Sequence, residues 1–476
     1  MDFKYLKILL ACLLPSLGLA AKTSPNFILV LTDDQGWSSL SSSMDLRRPE
    51  AKSDYHHTPN MNALLERGMR FSSGYAAAPV CSPTRYSVQF GKSPARLKYT
   101  RVLGDNRADH NQVAIPQILK AVNSDYICAH LGKWHINAHP DRYSYDLHDG
   151  RTTNREGGFT MRDHHREWGG YSEEDPKRVD SITERAIDFI RSSIEADRPF
   201  FIQLSHYAVH SDLVYSEATY DAVGKREPGT LHSNQAYAAM VEDLDRSIGT
   251  LLKAYDTMGL ADNTYLIFTS DNGGMPCLPI QVNKGQPYKQ GLNTPLLRGK
   301  WDLTEGGIRV PFSVMGPGIP VGSQSDEPVI SYDLLPTIAD LAGAKEMLPE
   351  DLDGRSFRTL LSDPQATITR PPEGLIFHFP HYNMVGLNEP HSAIRVGDYK
   401  LLKFTSSERS LLFNVADDPS ESHDLANENP QLASTLDSKL EQYLQNVDAE
   451  RPEDSNSWKK GGSGKTKTLF FNRYKN

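Results

Sequence analysis

Apolar residues along this chain fall in short, β-rich runs that break off into polar groups. Residues 27–31 end in Thr32-Asp33-Asp34, and residues 126–131 are followed by Gly132-Lys133-Trp134-His135. Residues 199–204 lead into His206 and His210, and residues 265–269 end in Ser270-Asp271-Asn272-Gly273-Gly274. Between these runs, helical spacing covers 61–67, 115–121, 179–195 and 236–258. Strands alternating with helices predict an α/β fold around a mainly parallel sheet. Ligands of such sheets bind outside the carboxyl ends of the strands. Four strand ends carrying ionisable groups therefore predict one polar edge.

The texture changes near residue 366. Residues 374–379, 392–396, 399–404 and 410–413 read as strands of an antiparallel meander, with Gly397-Asp398 as a turn, and 430–445 as an amphipathic helix. This predicts a larger α/β domain over 22–365 and a smaller α+β domain over 366–476, whose end is polar. Gly461-Gly462-Ser463-Gly464-Lys465-Thr466 superficially resembles a phosphate loop, but Lys459 stands where its first glycine belongs and no strand precedes it.

The first 21 residues read as an export signal: Lys4 and Lys7, an apolar stretch over 8–19, then small residues. The stretch is too short to span a bilayer comfortably. Leu9-Leu10-Ala11-Cys12 resembles a lipoprotein cleavage site only weakly. The expectation is a periplasmic or secreted protein with no membrane span. The chain has 476 residues and a net charge of −9, which argues against a general nucleic-acid binder. Of 4 cysteines, Cys12 leaves with the signal. Cys81, Cys128 and Cys277 are a poor disulfide framework, and a Cys128–Cys277 pair competes with two buried thiols.

Asp33, Asp34, Asp271 and Asn272 offer hard oxygen ligands, suited to Ca²⁺ or Mg²⁺. Arg85, Lys133, His135, His206, His210 and Lys300 are candidates for holding an anion. In Cys81-Ser82-Pro83-Thr84-Arg85 the proline fits a first helical turn. Cys81 then sits at or just before a helix N-terminus, a setting that favours negative charge and a reactive sulfur, or something made from it. A tyrosine-phosphatase arrangement fails, because its arginine position is Ser87.

Cys81-Ser82-Pro83-Thr84-Arg85, followed by Gly91-Lys92, resembles the signature of type I, formylglycine-dependent sulfatases. Gly132-Lys133-Trp134-His135 matches the second signature of that family. Thr32-Asp33-Asp34-Gln35-Gly36, Ser270-Asp271-Asn272-Gly273 and the loop from Gly299-Lys300 to Arg309-Val310-Pro311 match as well. Phe90 departs from the Thr or Ser usual before Gly91. The resemblance implies an alkaline-phosphatase-like sandwich: a large mostly parallel sheet flanked by helices, and a smaller C-terminal antiparallel sheet.

It further implies that a maturation enzyme oxidises Cys81 to formylglycine, and that Asp33, Asp34, Asp271 and Asn272 bind one Ca²⁺ that also touches residue 81. The aldehyde hydrate attacks sulfur with one hydroxyl and expels sulfate through the other. Asp271 takes the attacking proton, Arg85, Lys133 and Lys300 neutralise the sulfuryl group, and His135 assists elimination. His210 aligns with the histidine that protonates the leaving oxygen. The prolines usual around it are absent, which keeps His206 as a rival. The implied partner is a sulfated poly- or oligosaccharide. Within 139–166, His139, Arg142, His164, His165 and Arg166 are candidate sugar contacts, as is His206. The alternatives are a phosphatase or phosphonate hydrolase of the same superfamily and a non-catalytic Ca²⁺-dependent binder of sulfated glycans.

Overall fold

The computed structural model of the chain describes residues 24–102, 108–158, 170–275, 293–370, 374–382 and 389–452. Its centre is an eight-stranded sheet. In chain order the strands are β1 (Asn26–Thr32), β2 (Met69–Phe71), β3 (Ile127–Gly132), β4 (Leu147–His148), β5 (Phe200–Ser205), β6 (Thr264–Ser270), β7 (Phe312–Met315) and β8 (Ser323–Ser325). Across the sheet they run β8-β2-β7-β6-β1-β5-β3-β4. The four predicted strands are its middle, and β6, β1, β5 and β3 are all mutually parallel. Only β7 runs against its neighbours β6 and β2.

Each inner strand is apolar at successive positions because both faces are covered. Phe27 and Leu29 enter one core, and Ile28 and Val30 the other. On the Ile28 side pack α1 (Pro59–Arg67), α4 (Val179–Glu195) and α5 (Gln235–Thr257). On the Phe27 side pack α2 (Cys81–Phe90), α3 (Ile115–Val122) and α6 (Leu334–Leu341). The predicted helices are present with ends shifted by no more than two residues. The short strands β2, β4, β7 and β8 and helix α6 carried no sequence expectation.

The second sheet is an antiparallel meander: β9 (Leu375–Phe379), β10 (His391–Val396), β11 (Tyr399–Phe404) and β12 (Arg409–Asn414). Helix α7 (Pro430–Asn446) covers one face, where Leu436, Leu440 and Tyr443 meet Ile376, Ile394, Leu401 and Leu412. The opposite face sends Leu375, Phe377, Ala393 and Leu402 into a core shared with Tyr75, Leu303, Ile308 and Tyr332. The smaller sheet is therefore packed on the loops of the larger one. Among the described residues, no helix is long and apolar enough to cross a membrane.

Lys400 joins the two sheets. Its ammonium is fully buried and donates to Leu303 O and Glu305 Oε1, both at 2.9 Å, and pairs with Glu421 Oε1 at 2.8 Å. Glu421 in turn accepts the Glu305 N–H at 2.8 Å. Burial, helped by Glu305 and opposed by Lys400, pushes the Glu421 carboxyl up to about 7. Removing the lysine leaves two carboxyls in the dry interface. Lys400→Ala is expected to cost about 3–5 kcal/mol of unfolding free energy, read by urea denaturation; a loss below about 1 kcal/mol would show that the cluster does not hold the sheets together.

Candidate active site

Parallel pairing brings four strand ends to one edge. Thr32 pairs with Ser270, Leu31 with Ser205, and Ser205 with Gly132. Each chain then turns out of the sheet. The Asp33 N–H donates to Ala208 O at 2.9 Å and the Val209 N–H to Asp33 O at 2.6 Å, so the β1 and β5 exits hold each other. The Asp34 N–H donates to Asp271 Oδ1 at 3.1 Å. Asp34 (φ 57°) and His135 (φ 54°) both adopt the left-handed conformation, which side chains other than glycine rarely occupy. Gly132 (φ 90°) must be glycine, because a Cβ there would lie 2.0 Å from Ser205 O. Gly273 has the same necessity: its Cβ would fall 1.9 Å from Gly306 O, and that close approach carries the Lys300 loop onto the β6 end.

Helix α2 starts at Cys81 itself, preceded by extended Val80 and closed by left-handed Gly91 (φ 65°). All its residues are buried. Cys81 Sγ lies 3.3 Å from His135 Nδ1, and Ser82 Oγ donates to His135 O at 2.6 Å. One turn on, Arg85 Nε donates to Asp271 Oδ2 at 2.9 Å and its Nη1 to Lys133 O at 2.5 Å. The Trp301 N–H reaches Pro79 O at 2.9 Å, tying the Lys300 loop to the segment that leads into the helix. The helix, the sheet edge and that loop thus enclose one buried space.

Opposite charges fill that space. Lys133 Nζ pairs with Asp33 Oδ2 at 2.5 Å, and Lys300 Nζ with Asp34 Oδ2 at 2.7 Å. Asn272 Nδ2 donates to Asp34 Oδ1 at 2.7 Å. Burial acts to raise the Asp33 carboxyl, but Lys133, His210, Arg85 and Lys300 outweigh it and hold the group well below the usual carboxylate range. Asp271 goes the other way. Burial, then the neighbouring Asp33, push it up to about 7 against Arg85 and Lys133. Burial also raises the Cys81 thiol, and Lys133 and Lys300 only partly offset that. Desolvation of the anion thus opposes the helix N-terminus at Cys81.

The acidic groups have the donor chemistry of a hard cation site. One ligand atom from each of Asp33, Cys81 and Asp271 lies within 4.8 Å of the others, and the same holds for Asp33, Asp34 and His210. Asp33 Oδ1 and Asn272 Oδ1 are buried without any hydrogen-bond donor. Unsatisfied oxygens in a dry site are costly unless a cation or donor meets them. The residues present therefore fit Ca²⁺.

His210 belongs to this site: its Nε2 is 3.7 Å from Asp34 Oδ2 and its Nδ1 bonds Ser211 O. Burial, then Lys300, bring its pKa down to about 3. His206, its rival, is fully buried, and neither ring nitrogen has a hydrogen-bond partner, so it makes no hydrogen bond to the site groups. Of the expected sugar contacts, His139 pairs with Asp141 at 3.0 Å, and Arg142 donates to His110 O and Asn111. These contacts keep both in an outer turn. His164, His165 and Arg166 lie outside the described residues, as does Cys277; Cys128 is a free thiol buried in the core. The segment 139–166 does reach the site, but through Asn154, whose Nδ2 stands 3.3 Å from His210 Nε2. Nothing in the sequence around Asn154 marks it, since an Asn in a polar loop is ordinary turn chemistry.

Comparison with known proteins identifies the family. The model of the sulfatase family matches residues 25–344, and that of the N-sulphoglucosamine sulphohydrolase C-terminal region matches 299–450. The chain is 29% identical over 427 residues to N-acetylgalactosamine-6-sulfatase of Canis lupus familiaris, covering 83% of this chain and 74% of that protein. It is 27% identical over 457 residues to an ulvan-active sulfatase of Formosa agariphila, covering 89% and 81%. Among solved structures, Ps i-CgsB in complex with k-i-k-neocarrahexaose superposes with a TM-score of 0.72 at 26% identity, covering 92% of this chain and 95% of that one. The fold is thus the alkaline-phosphatase-like one, and the chain belongs to the sulfatase family.

Proposed function

We propose that this protein is an exported hydrolase that removes sulfate from a sulfated carbohydrate, with a formylglycine made from Cys81 and one Ca²⁺. The observation that carries the reading is the meeting of Cys81, three carboxylates and three cations in one buried space at the sheet edge. The carbohydrate is favoured because similar proteins are named for ulvan and N-acetylgalactosamine 6-sulfate, and one is held with a neocarrahexaose. The chain divides into an export signal over 1–21, a catalytic domain over 22–365 and a C-terminal domain over 366–476.

Asp33, Asp34, Asp271 and Asn272 would hold the Ca²⁺, which when bound supplies positive charge beside residue 81 and a sulfate oxygen. Formylglycine supplies a hydrated carbonyl that is both nucleophile and route for sulfate release. The residues of the chain do the rest. Arg85, Lys133 and Lys300 surround the space where the SO₃ group sits, and fixed charge of this kind stabilises a transition state strongly because it need not reorganise. Asp271, raised by burial and by Asp33, is suited to accept the proton of the attacking hydroxyl. His135, 3.3 Å from residue 81, is placed to act on the same hydroxyls during elimination. His210, beside Asp34, gives a proton from Nε2 to the departing alcohol; burial favours its neutral ring, so it takes up that proton when the anionic sulfate ester is bound.

Conversion of Cys81 to formylglycine should lower the mass of its peptide by about 18 Da, read by mass spectrometry. Cys81→Ala should lower kcat on a sulfated oligosaccharide by about 10⁴-fold or more with the fold intact by circular dichroism. Active protein carrying only unmodified Cys81 would contradict the reading. Asp271→Asn should weaken Ca²⁺ binding by calorimetry and reduce sulfate release about a hundredfold or more; full activity in excess chelator would refute the metal assignment. His210→Ala should lose about a hundredfold in turnover of a sugar sulfate whereas His206→Ala, if it folds, keeps it; the reverse ranking would exchange their roles.

A further inference from the structure

Asn154 is held from two sides. The residue two before it, Thr152, donates from Oγ1 to Gly132 O at 2.5 Å. The same residue accepts the Trp134 N–H on Oγ1 at 2.8 Å and the His135 N–H on its carbonyl at 2.9 Å. This segment is therefore locked to the strand end that carries Lys133 and His135. Thr153 and Glu156 then close the short turn Asn154–Gly157, the Thr153 N–H donating to Glu156 Oε2 at 2.6 Å. At its far end Gly157 lies flat on Tyr207, where a Cβ would come within 2.4 Å of the Tyr207 side chain. Tyr207 stands in the loop that carries His210. Asn154 thus begins a rigid strap between the two strand ends.

From that position its amide nitrogen meets His210 Nε2 at 3.3 Å. The other ring nitrogen, Nδ1, is bonded to the main chain at Ser211 O, so Nε2 is the one facing the site and Asp34. Asn154 Oδ1 is buried with no donor. An amide offers a donor and an acceptor on one rotating plane. Rotation therefore lets Asn154 meet Nε2 with or without its hydrogen, and no existing bond of Oδ1 is lost.

We propose that Asn154 is a positioning residue that fixes the His210 imidazole by its Nε2, aiming that nitrogen at the oxygen leaving sulfur. The inference rests on His210 being the acid of the proposed function. In that step the S–O bond to the alcohol breaks and its electron pair stays on the alcohol oxygen; the ring acts as imidazolium, its Nε2 proton moving to that oxygen while Nδ1–H stays on Ser211 O. Of the two protons the aldehyde hydrate gives up in one turnover, one replaces this proton on Nε2 by way of solvent and the other is released with sulfate. A loosely held ring would matter most where the leaving oxygen is basic, as in a sugar, and least where it departs as a stable phenolate.

The test is a leaving-group series on the matured, Ca²⁺-loaded enzyme: a sulfated oligosaccharide together with aryl sulfates from 4-methoxyphenyl to 4-nitrophenyl. Asn154→Ala should lose about tenfold or more in kcat on the oligosaccharide and less than about twofold on 4-nitrophenyl sulfate, giving a steeper dependence on leaving-group pKa. Asn154→Ser, which keeps a donor and an acceptor, should recover part of the loss. His210→Ala measures the same slope independently. A flat slope for His210→Ala removes the acid role and this inference with it. A steep slope for His210→Ala with a flat or unchanged profile for Asn154→Ala overturns the inference alone. An unchanged thermal midpoint for both variants separates either result from a loss of folding.

Discussion

Mutual neutralisation of buried charge is the constraint on which this molecule turns. Asp33, Asp34 and Asp271 sit where water does not reach, and Lys133, Lys300 and Arg85 sit against them. Stripping water from any one of these ions costs several kcal/mol, so neither the acids nor the bases are tenable alone. The carboxylates come from two adjacent strand ends, the cations from a third strand end, a helix and a loop. Correct closure of the charge set therefore demands that all five elements arrive together. The same proximity drives Asp33 and Asp271 apart in acidity, and such a split commonly separates the duties of two acids in a hydrolytic site.

Backbone geometry supplies the precision that charge alone cannot. Asp34 and His135 are held in left-handed conformations, and Gly132 and Gly273 allow main chains to touch where any side chain would collide. Strained or crowded backbone persists only where the surroundings over-determine it. Here the surroundings are the parallel sheet, whose rigid register fixes where each exit begins. Local strain at the edge is thus carried by a wide, doubly covered core.

Much of this was legible in the order of residues. The four central strands showed as apolar runs because both their faces are buried, and their polar endings marked the edge. Helices α4 and α5 showed because their buried residues recur at helical spacing. The short strands β2, β4, β7 and β8 did not, since a few residues carry no period and their pairing is decided by distant partners. The left-handed turns were hidden for a similar reason: Asp34 and His135 look like any loop residues. Distinguishing His210 from His206 required knowing which way two rings four residues apart turn after the strand ends. Asn154 left no mark because its importance is its neighbour, 56 positions away. The burial of Cys81 was invisible too, because motif and helix position say nothing about how much water is excluded.

One consequence concerns what can vary. Lys400, on the smaller sheet, reaches the carbonyl of Leu303 and the carboxylate of Glu305, only a few residues beyond Lys300. The smaller sheet is consequently a buttress for the loop that delivers one of the pocket's cations, not an interchangeable attachment. A graft from a relative would need to import the Glu421–Lys400–Glu305 trio intact or lose that loop's footing. The outer turn bearing His139 and Arg142 is freer to vary, since both side chains are exposed and no buried charge has to be rebalanced there.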